Sequence, residues 1–372
     1  MPDVKPKARY LMIGGFLGAG KTTAVLQIAE RLRARGLKVG LITNDQSYGL
    51  VDTAMLGAHG FAVEEITGGC FCCKFNSLID ASNRLSSQTR PDVFIAEPVG
   101  SCTDLKATVD YPLRRIYGDD FSIAPLSVMV DPIRASRILG LQPGASFSKK
   151  VVYIYRKQLE EAELIIVNKT DLLPPDRLEP LLAALRAEFP TAQVLAVSAR
   201  DGTGIDEWIS FTEDNRPRTT GAMAVDYEVY AEGEALLGWL NCMARFESTS
   251  PVDGNAVLLD IAQRVQGSLQ AGGLEIAHLK LTLSPDEGND IAVANLVRND
   301  GAAELSHQLQ EPLEAGQLIL NLRAEAAPEL LREKVTGILR AMESGDGLRF
   351  EIEHLESFRP GKPEPTHRLA SV

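Results

Sequence analysis

Tyr10-Leu-Met-Ile-Gly-Gly-Phe-Leu-Gly-Ala-Gly-Lys-Thr-Thr23 joins a short apolar run to a glycine-rich loop that ends in lysine and threonine. Residues 15–22 match the pattern GxxxxGK(S/T), and an amphipathic pattern follows over residues 23–35. Glycines let successive backbone N–H groups turn inward around an anion, and the start of a helix adds positive potential there. In such a loop the lysine reaches the β- and γ-phosphates and the hydroxyl ligates Mg²⁺. The predicted phosphate site comprises Gly15, Gly18, Ala19, Gly20, Lys21, Thr22 (also the Mg²⁺ ligand) and Thr23.

The chain around this loop alternates apolar runs with helical patterns. The predicted strands lie at residues 10–13, 39–43, 93–96, 126–130, 164–167 and 194–196. Nearly continuous apolar runs are typical of parallel strands whose two faces are both covered by helices. We therefore predict an α/β fold, a P-loop NTPase parallel sheet with flanking helices.

A polar, proline-bearing stretch at residues 213–221 predicts a linker between this P-loop domain (1–212) and a second domain. Residues 222–358 predict a smaller α+β C-terminal domain, with a strand at 226–230 and a helix at 235–245 among its elements. Residues 359–372 form a proline-rich, polar tail that we expect to be loosely ordered.

Two further motifs favour a guanine nucleotide. Asn168-Lys169-Thr-Asp171 follows a predicted strand, where the Asp carboxylate can accept from the guanine N1–H and amine; Ser198-Ala199 fits the second guanine-contacting loop, through backbone N–H. Residues 92–100 are an apolar strand ending in Glu97-Pro-Val-Gly100. Such an acid lies near the γ-phosphate and Mg²⁺, and the glycine N–H can sense the γ-phosphate.

Three cysteines crowd into Gly-Gly-Cys70-Phe-Cys72-Cys73. An extended path would direct Cys70 and Cys72 to one side and Cys73 to the other, whereas the two glycines allow a sharper path that gathers three thiolates. Three sulfurs leave one position of a zinc site open, which suits metal transfer. We predict a transition-metal site; a redox-sensing thiol cluster and inert buried cysteines are the alternatives. Cys102 and Cys242 stand alone in patterned segments and are expected to pack in cores.

Composition narrows the function classes. The 372 residues carry a net charge of -12, with 38 Lys and Arg against 50 Asp and Glu. This balance argues against a nucleic-acid or membrane-surface binder. The longest apolar runs are far shorter than the ~20 residues of a membrane span. The start shows no cleavable signal pattern, so we expect a cytoplasmic protein without membrane or nucleic-acid partners.

The motifs GGFLGAGKTT, GGCFCC, EPVG and NKTD, in this order, resemble the CobW/HypB/UreG family of P-loop GTPases, specifically its CobW-like branch. The resemblance implies GTP hydrolysis coupled to metal handling: delivery of Zn²⁺ or Co²⁺ to a client metalloenzyme, or help in cofactor assembly. Because no activating arginine is identifiable from the sequence, we expect the intrinsic turnover to be slow. The resemblance also implies that Lys21 and Thr22 hold phosphate and Mg²⁺, that Glu97 is the catalytic acid, and that Asn168 and Asp171 read guanine. Cys70, Cys72 and Cys73 would be the metal thiolates.

One segment departs from that family. CobW-like proteins have Asn-Glu-x-Gly-Glu and then an aspartate after the second strand, where this chain has Asn44-Asp45-Gln-Ser-Tyr48-Gly-Leu-Val-Asp52. Asp45 and Asp52 keep acids where a γ-phosphate-sensing switch is expected, but Tyr48 replaces the second glutamate. The histidine-rich stretch of many zinc-handling members is also missing from the sequence. A GTPase that gates loading of a corrinoid or other cofactor without carrying metal therefore stays open, as does a nucleotide-dependent thiol sensor or scaffold. The C-terminal module would bind the client or a second copy of the chain.

Overall fold

The computed structural model describes residues 7–45, 51–213, 221–288 and 290–371. Its chain divides into two units. Within the described residues, the first unit comprises 7–45, 55–213, 221–230 and 363–371, and the second comprises 51–54, 231–288 and 290–362. Most of the predicted linker, and Tyr48 with its neighbours, lie outside the described residues. The linker therefore stays a prediction.

The first unit contains a parallel sheet. Its strands are β1 (Ala8–Gly15), β2 (Val39–Asn44), β3 (Ala62–Ile66), β4 (Val93–Glu97), β5 (Phe121–Ile123), β6 (Ser127–Val130), β7 (Leu164–Val167) and β8 (Gln193–Ala196). Their order is β3-β2-β4-β1-β6-β7-β8 with β5 beside β1, and the pairings within the described residues are parallel. Strands β2, β4, β6 and β7 are buried along their whole length. The predicted fold class is confirmed, and each of the six predicted strands is present.

Helices connect these strands and cover both faces of the sheet. They are α1 (Lys21–Ala34), α2 (Val51–Ala58), α3 (Phe75–Gln88), α4 (Tyr111–Tyr117), α5 (Pro132–Ile138), α6 (Lys149–Glu161), α7 (Pro175–Glu188) and α8 (Ile205–Glu213). A π-helical turn at Lys106–Asp110 precedes α4, and a 3-10 turn at Thr170–Leu172 follows β7. Apolar residues of α1 and α8, including Ile28 and Trp208, pack with the sheet in one buried cluster.

The second unit is an antiparallel sheet with helices. After α9 (Tyr227–Leu236), the elements are β9 (Leu237–Val252), α10 (Gly254–Ala271), β10 (Ile276–Pro285), β11 (Ala292–Leu296), β12 (Glu304–His307), β13 (Leu313–Glu325), α11 (Pro328–Asp346) and β14 (Leu348–Phe358). The described strands have the order β12-β11-β10-β13-β9-β14. Helices α10 and α11 pack against an apolar face of the sheet, where Cys242 is buried as expected. This agrees with the predicted α+β domain.

Two local predictions in this region were wrong. Residues 226–230 were expected to be a strand and 235–245 a helix, but α9 covers most of the first stretch and β9 covers most of the second. Strand β9 buries Leu237 to Cys242 without a break because both of its faces are covered there, so the period-2 alternation of a half-exposed strand is lost.

Among the helices that the structure describes, we find none with the length and apolar character needed to span a bilayer.

Candidate functional site

The predicted phosphate loop lies between β1 and α1. Lys21 and Thr22 begin α1 and are both buried. The Lys21 Nζ donates to the carbonyl of Gly15 at 3.0 Å and lies 4.0 Å from the Glu97 Oε1, while the Thr22 hydroxyl donates to that same oxygen at 3.1 Å. A hydroxyl beside a carboxylate is a set of hard oxygen donors of the kind that Mg²⁺ prefers. The structure thus brings the predicted cation, hydroxyl and acid together at the start of a helix.

Gly100 lies directly against the phosphate loop. A side-chain carbon added at Gly100 would lie 2.7 Å from the Leu17 Cδ2 and 3.0 Å from the Leu17 backbone nitrogen, so only glycine fits this close approach. The Gly100 carbonyl accepts a hydrogen bond from the Gln158 side-chain amide at 3.0 Å. The segment from Glu97 to Gly100 is therefore held in close contact with the phosphate loop.

The predicted guanine-reading residues also meet. The Asn168 amide donates to the carbonyl of Ala19 at 2.9 Å, and its oxygen accepts from the Ala199 backbone N–H at 2.9 Å. Asn168 therefore joins the phosphate loop to the loop after β8. The Ser198 hydroxyl donates to the Asp171 carboxylate at 2.8 Å, which fixes the orientation of that carboxylate.

Lys169 completes this group with a partner that the sequence did not identify. Its ammonium contacts the Gly18 carbonyl at 2.8 Å and the buried Asp131 carboxylate at 3.0 Å. Asp131 also caps α5 by accepting from the N–H groups of Ile133 and Arg134. The guanidinium of Arg134, which lies in the first turn of α5, donates to the Leu17 carbonyl of the phosphate loop. Both contacts brace the phosphate loop, and a strand-end aspartate before proline is the signal that could have indicated them.

The predicted switch is described only at its start. The Asn44 amide donates to the carbonyls of Ile66 at 3.0 Å and Gly69 at 2.7 Å, and the Asp45 N–H donates to Ile66 at 3.1 Å. Residues 46–50 and the Asp52 side chain lie outside the described residues. These contacts attach the end of β2 to the segment that carries the cysteines.

The three predicted cysteines converge. Their sulfurs lie 2.8 Å (Cys70–Cys72), 3.3 Å (Cys70–Cys73) and 3.7 Å (Cys72–Cys73) apart. The last distance matches the ~3.8 Å expected for sulfurs around one tetrahedral zinc with Zn–S of about 2.3 Å, and the other two are shorter. Among the described residues, this group of side chains could hold a metal ion. The segment is a turn rather than extended, since the N–H groups of Cys73 and Lys74 both donate to the Cys70 carbonyl. Gly68 and Gly69, with φ of 74° and 151°, provide the sharp entry. Because the chain turns, Cys73 joins the other two thiols instead of pointing away.

A fourth thiol touches this group. Cys102, in the turn after β4, hydrogen-bonds to the thiols of Cys70 and Cys72. Hydrogen bonds from Cys102, Cys72 and Cys73 hold the pKa of Cys70 well below its usual range. The hydrogen bonds to Cys102 and Cys70 raise the pKa of Cys72, and hydrogen bonding to Cys70 raises the pKa of Cys73 to about 11. Cys102 is buried in the core, as expected.

The C-terminal segment, residues 363–371, covers the cysteine turn. The Thr366 N–H donates to the Cys72 carbonyl at 2.9 Å and its hydroxyl to the Cys73 carbonyl at 3.1 Å. The Glu364 N–H donates to the Cys73 sulfur at 3.2 Å, and Arg368 donates to Asp104 at 2.7 Å. The expectation of a loosely ordered tail was wrong for this part. Its attachment uses mainly backbone groups, which composition does not reveal.

A parallel sheet whose first strand leads into a glycine loop, lysine and threonine defines a P-loop nucleotide-binding protein. Residues 9–196 match the model of the CobW/HypB/UreG nucleotide-binding domain, which is about half of the chain. The chain belongs to the CobW/HypB/UreG family, a family of GTPases.

Curated relatives carry metal-related names. The chain is 29% identical to the zinc chaperone YeiR of Escherichia coli over 174 residues, which cover 46% of this chain and 50% of YeiR. It is 26% identical to the zinc-regulated GTPase metalloprotein activator 1 of Dictyostelium discoideum over 212 residues, 50% of this chain and 44% of the relative. The chain thus spans about half the length of these relatives. The solved Zn(II)-bound YjiA GTPase of Escherichia coli is 15% identical, with a TM-score of 0.36, and the match covers 89% of this chain and 99% of YjiA.

Proposed function

We propose that this protein is a GTPase of slow intrinsic turnover that binds a transition metal, Zn²⁺ or Co²⁺, and delivers it to a client metalloenzyme. The observation that carries this proposal is the convergence of the Cys70, Cys72 and Cys73 sulfurs within 4.8 Å of one another, on a segment hydrogen-bonded to the end of β2. The names of the curated relatives support the same class of function.

We assign the nucleotide roles to these residues, and their contacts support the assignment. With a nucleotide bound, the Lys21 ammonium would exchange the Gly15 carbonyl for the β- and γ-phosphates and balance their charge. The Gly100 N–H, beside Leu17, would be the donor that senses the γ-phosphate. Thr22, next to Glu97, would hold Mg²⁺, which when bound neutralises charge on the phosphate oxygens. Glu97 orients the attacking water through its carboxylate. Asp171, fixed by Ser198, selects guanine over adenine, because adenine offers a different hydrogen-bonding edge.

The metal is the cargo. Three sulfurs leave a ligand position for a client residue to enter, so that the ion can pass from this protein to the client without becoming free. The second unit, with its separate antiparallel sheet, is the part we assign to recognition of the client or of a second copy of this chain.

The test combines metal content with nucleotide turnover. Protein purified without oxygen should carry or take up one Zn²⁺ or Co²⁺, and Cys72→Ser should lose it. GTP should be hydrolysed in preference to ATP, well below the about 1–100 s⁻¹ typical of kinases, and Lys21→Ala should abolish turnover. Turnover without stoichiometric metal binding would instead favour a GTPase that gates cofactor loading. Negligible turnover with oxidation-responsive thiols would favour a sensor or scaffold.

A further inference from the structure

The C-terminal segment is bound to the first unit in the way that a separate peptide would be. It contains no helix or strand, and main-chain groups attach it along its length. The N–H groups of Glu364 and Thr366, on either side of Pro365, donate to the cysteine turn. Further along, the Leu369 N–H donates to the Ala107 carbonyl at 2.8 Å. Main-chain contacts do not depend on the identity of the side chains, so another segment can make the same ones.

Three successive side chains of the segment add specificity to these contacts. The Thr366 hydroxyl donates to the Cys73 carbonyl at 3.1 Å. The His367 ring packs edge-on against the Phe75 ring, with the ring centroids 5.0 Å apart. The third side chain is the guanidinium of Arg368, which brings a positive charge. A hydroxyl, an aromatic ring and a cation therefore define the side-chain pattern that this surface accepts.

Asp104 is the acceptor for the cation. Its side chain is 1% exposed, and its Oδ2 accepts from the Arg368 Nε and from the Tyr227 hydroxyl, each at 2.7 Å. The Arg368 guanidinium also donates to the Met223 carbonyl at 2.9 Å, although 39% of this side chain is exposed. Removing the cation from a buried carboxylate is strongly destabilising. The surface is therefore more stable when one occupant replaces another than when it is left empty, and a new occupant must bring a cation.

The surface under the C-terminal segment, which we call the segment site, is formed by Cys72, Cys73, Phe75, Asp104, Ala107 and Met223. We propose that the segment site binds an arginine-bearing segment of the client that has no regular secondary structure, and that the C-terminal segment is its built-in competitor. That this partner is the client rests on the proposed function. The net charge of -12 attracts a basic segment toward the protein.

The segment site would bring the client to the thiols. The Glu364 N–H lies 3.2 Å from the sulfur of Cys73, which is only partly buried. A client residue in the position of Glu364 would lie beside that sulfur, where it can enter the open ligand position of the ion. The C-terminal segment occupies this position until a client displaces it. Transfer of the ion is thereby restricted to partners that fit the segment site.

The experiment measures the binding of a fluorescein-labelled peptide, PEPTHRLAS, which has the sequence of residues 363–371. The protein is full-length and reduced, without metal or nucleotide. In the natural protein the tethered segment competes at an effective concentration of about millimolar, so the peptide should bind weakly. Arg368→Ala weakens the tethered segment and should raise the affinity for the peptide by about tenfold or more, measured by fluorescence anisotropy. Arg359→Ala, whose contact lies within the second unit, is the matched control and should bind the peptide as weakly as the natural protein.

Changes in the peptide test the chemistry without altering the protein. On Arg368→Ala protein, a peptide with alanine in place of its arginine should bind about tenfold more weakly or worse. A peptide that keeps the prolines, threonine, histidine and arginine, with serine elsewhere, should bind within about threefold of the original. Asp104→Asn, added to Arg368→Ala, should make the arginine and alanine peptides bind equally. Asparagine tolerates the left-handed backbone of Asp104, whose φ is 66°, and removes its charge.

The outcomes separate this inference from the proposed function. If Arg368→Ala binds the peptide no better than the natural protein, or binds the arginine and alanine peptides equally, the segment site is not a peptide site, whatever the Zn²⁺ content. If the arginine peptide binds as expected but the natural protein takes up no Zn²⁺ or Co²⁺, the proposed metal delivery fails and the peptide site remains. If the natural protein sediments as a dimer that the peptide dissociates, the occupant is the same segment of a second copy, which overturns the client as the partner. Arginine-dependent binding to a monomer supports the proposal.

Discussion

Asn44→Ala should uncouple metal binding from nucleotide binding. The Asn44 amide makes two hydrogen bonds, to Ile66 and Gly69, that join the end of β2 to the cysteine segment. Thr43, the preceding residue, pairs with Glu97 of the nucleotide site. Each such hydrogen bond contributes about 1 kcal/mol net, so losing both removes about 2 kcal/mol of coupling free energy between the two sites. This free energy corresponds to a change of roughly 30-fold in Zn²⁺ affinity between the nucleotide states. Coupling between sites is typically about 1–3 kcal/mol, so this one contact can carry most of it.

The assay is a competition titration of Zn²⁺ against a chromophoric chelator, with a non-hydrolysable GTP analogue or with GDP. In the natural protein the two Zn²⁺ affinities should differ by about 5- to 150-fold, and Zn²⁺ should change nucleotide affinity by the same factor. Asn44→Ala should bring the two Zn²⁺ affinities close together. Asn255→Ala, which removes two hydrogen bonds to Leu309 in the second unit, is the matched control and should leave the ratio unchanged. Equal Zn²⁺ affinities in both nucleotide states of the natural protein would refute the coupling.

Three further predictions concern other parts of the molecule. Asp171→Ala should reduce the preference for GTP over ATP by about 100-fold, because it removes a charged acceptor whose hydrogen bonds contribute about 1.5–3 kcal/mol each. Competition binding of the two nucleotides measures this preference. Arg200→Ala is the control and should have little effect, because its ion pair with Asp171 is exposed. Arg368→Ala should increase the alkylation rate of the Cys73 thiol about tenfold, because it releases the C-terminal segment from the buried Asp104. Mass spectrometry measures the rate. In the control Arg359→Ala, whose contact lies within the second unit, Cys73 should react at the rate of the natural protein. Limited proteolysis should cut first at residues 213–221 and leave a front fragment that binds GTP; first cuts before residue 200 would place the boundary elsewhere.

The nucleotide site was largely predictable because its chemistry depends on short, contiguous motifs. Lys21, Thr22, Asn168 and Asp171 each stand at a strand end or helix start that the apolar pattern had already located. Parallel strands deliver their carboxyl ends to one edge, so motifs after different strands meet there without any further information. Glu97 joined Lys21 and Thr22 for the same reason.

Other contacts had no local signal. Cys102 was expected to be an ordinary core residue, since nothing near it in sequence refers to the cysteine turn 29 residues upstream or more. The carboxyl ends of parallel strands lie at one edge of the sheet, and this rule would have suggested that Cys102 lies near the cysteine turn. Cys102 follows β4, and the cysteine turn follows β3. The prediction for the β9 region was wrong for a different reason. Continuous burial removes the alternation of apolar and polar residues that distinguishes a strand from a buried helix.

The contact between Glu364 and Cys73 joins residues 291 positions apart in the sequence. During protein synthesis the covering segment is therefore made well after the cysteines. At about 5–20 residues per second, the ribosome makes the covering segment roughly 15–60 s after the cysteines. Through that interval the nascent chain presents its thiols without the cover that they have in the finished molecule. Small molecules in the cell can therefore reach these thiols before the C-terminal segment has been made.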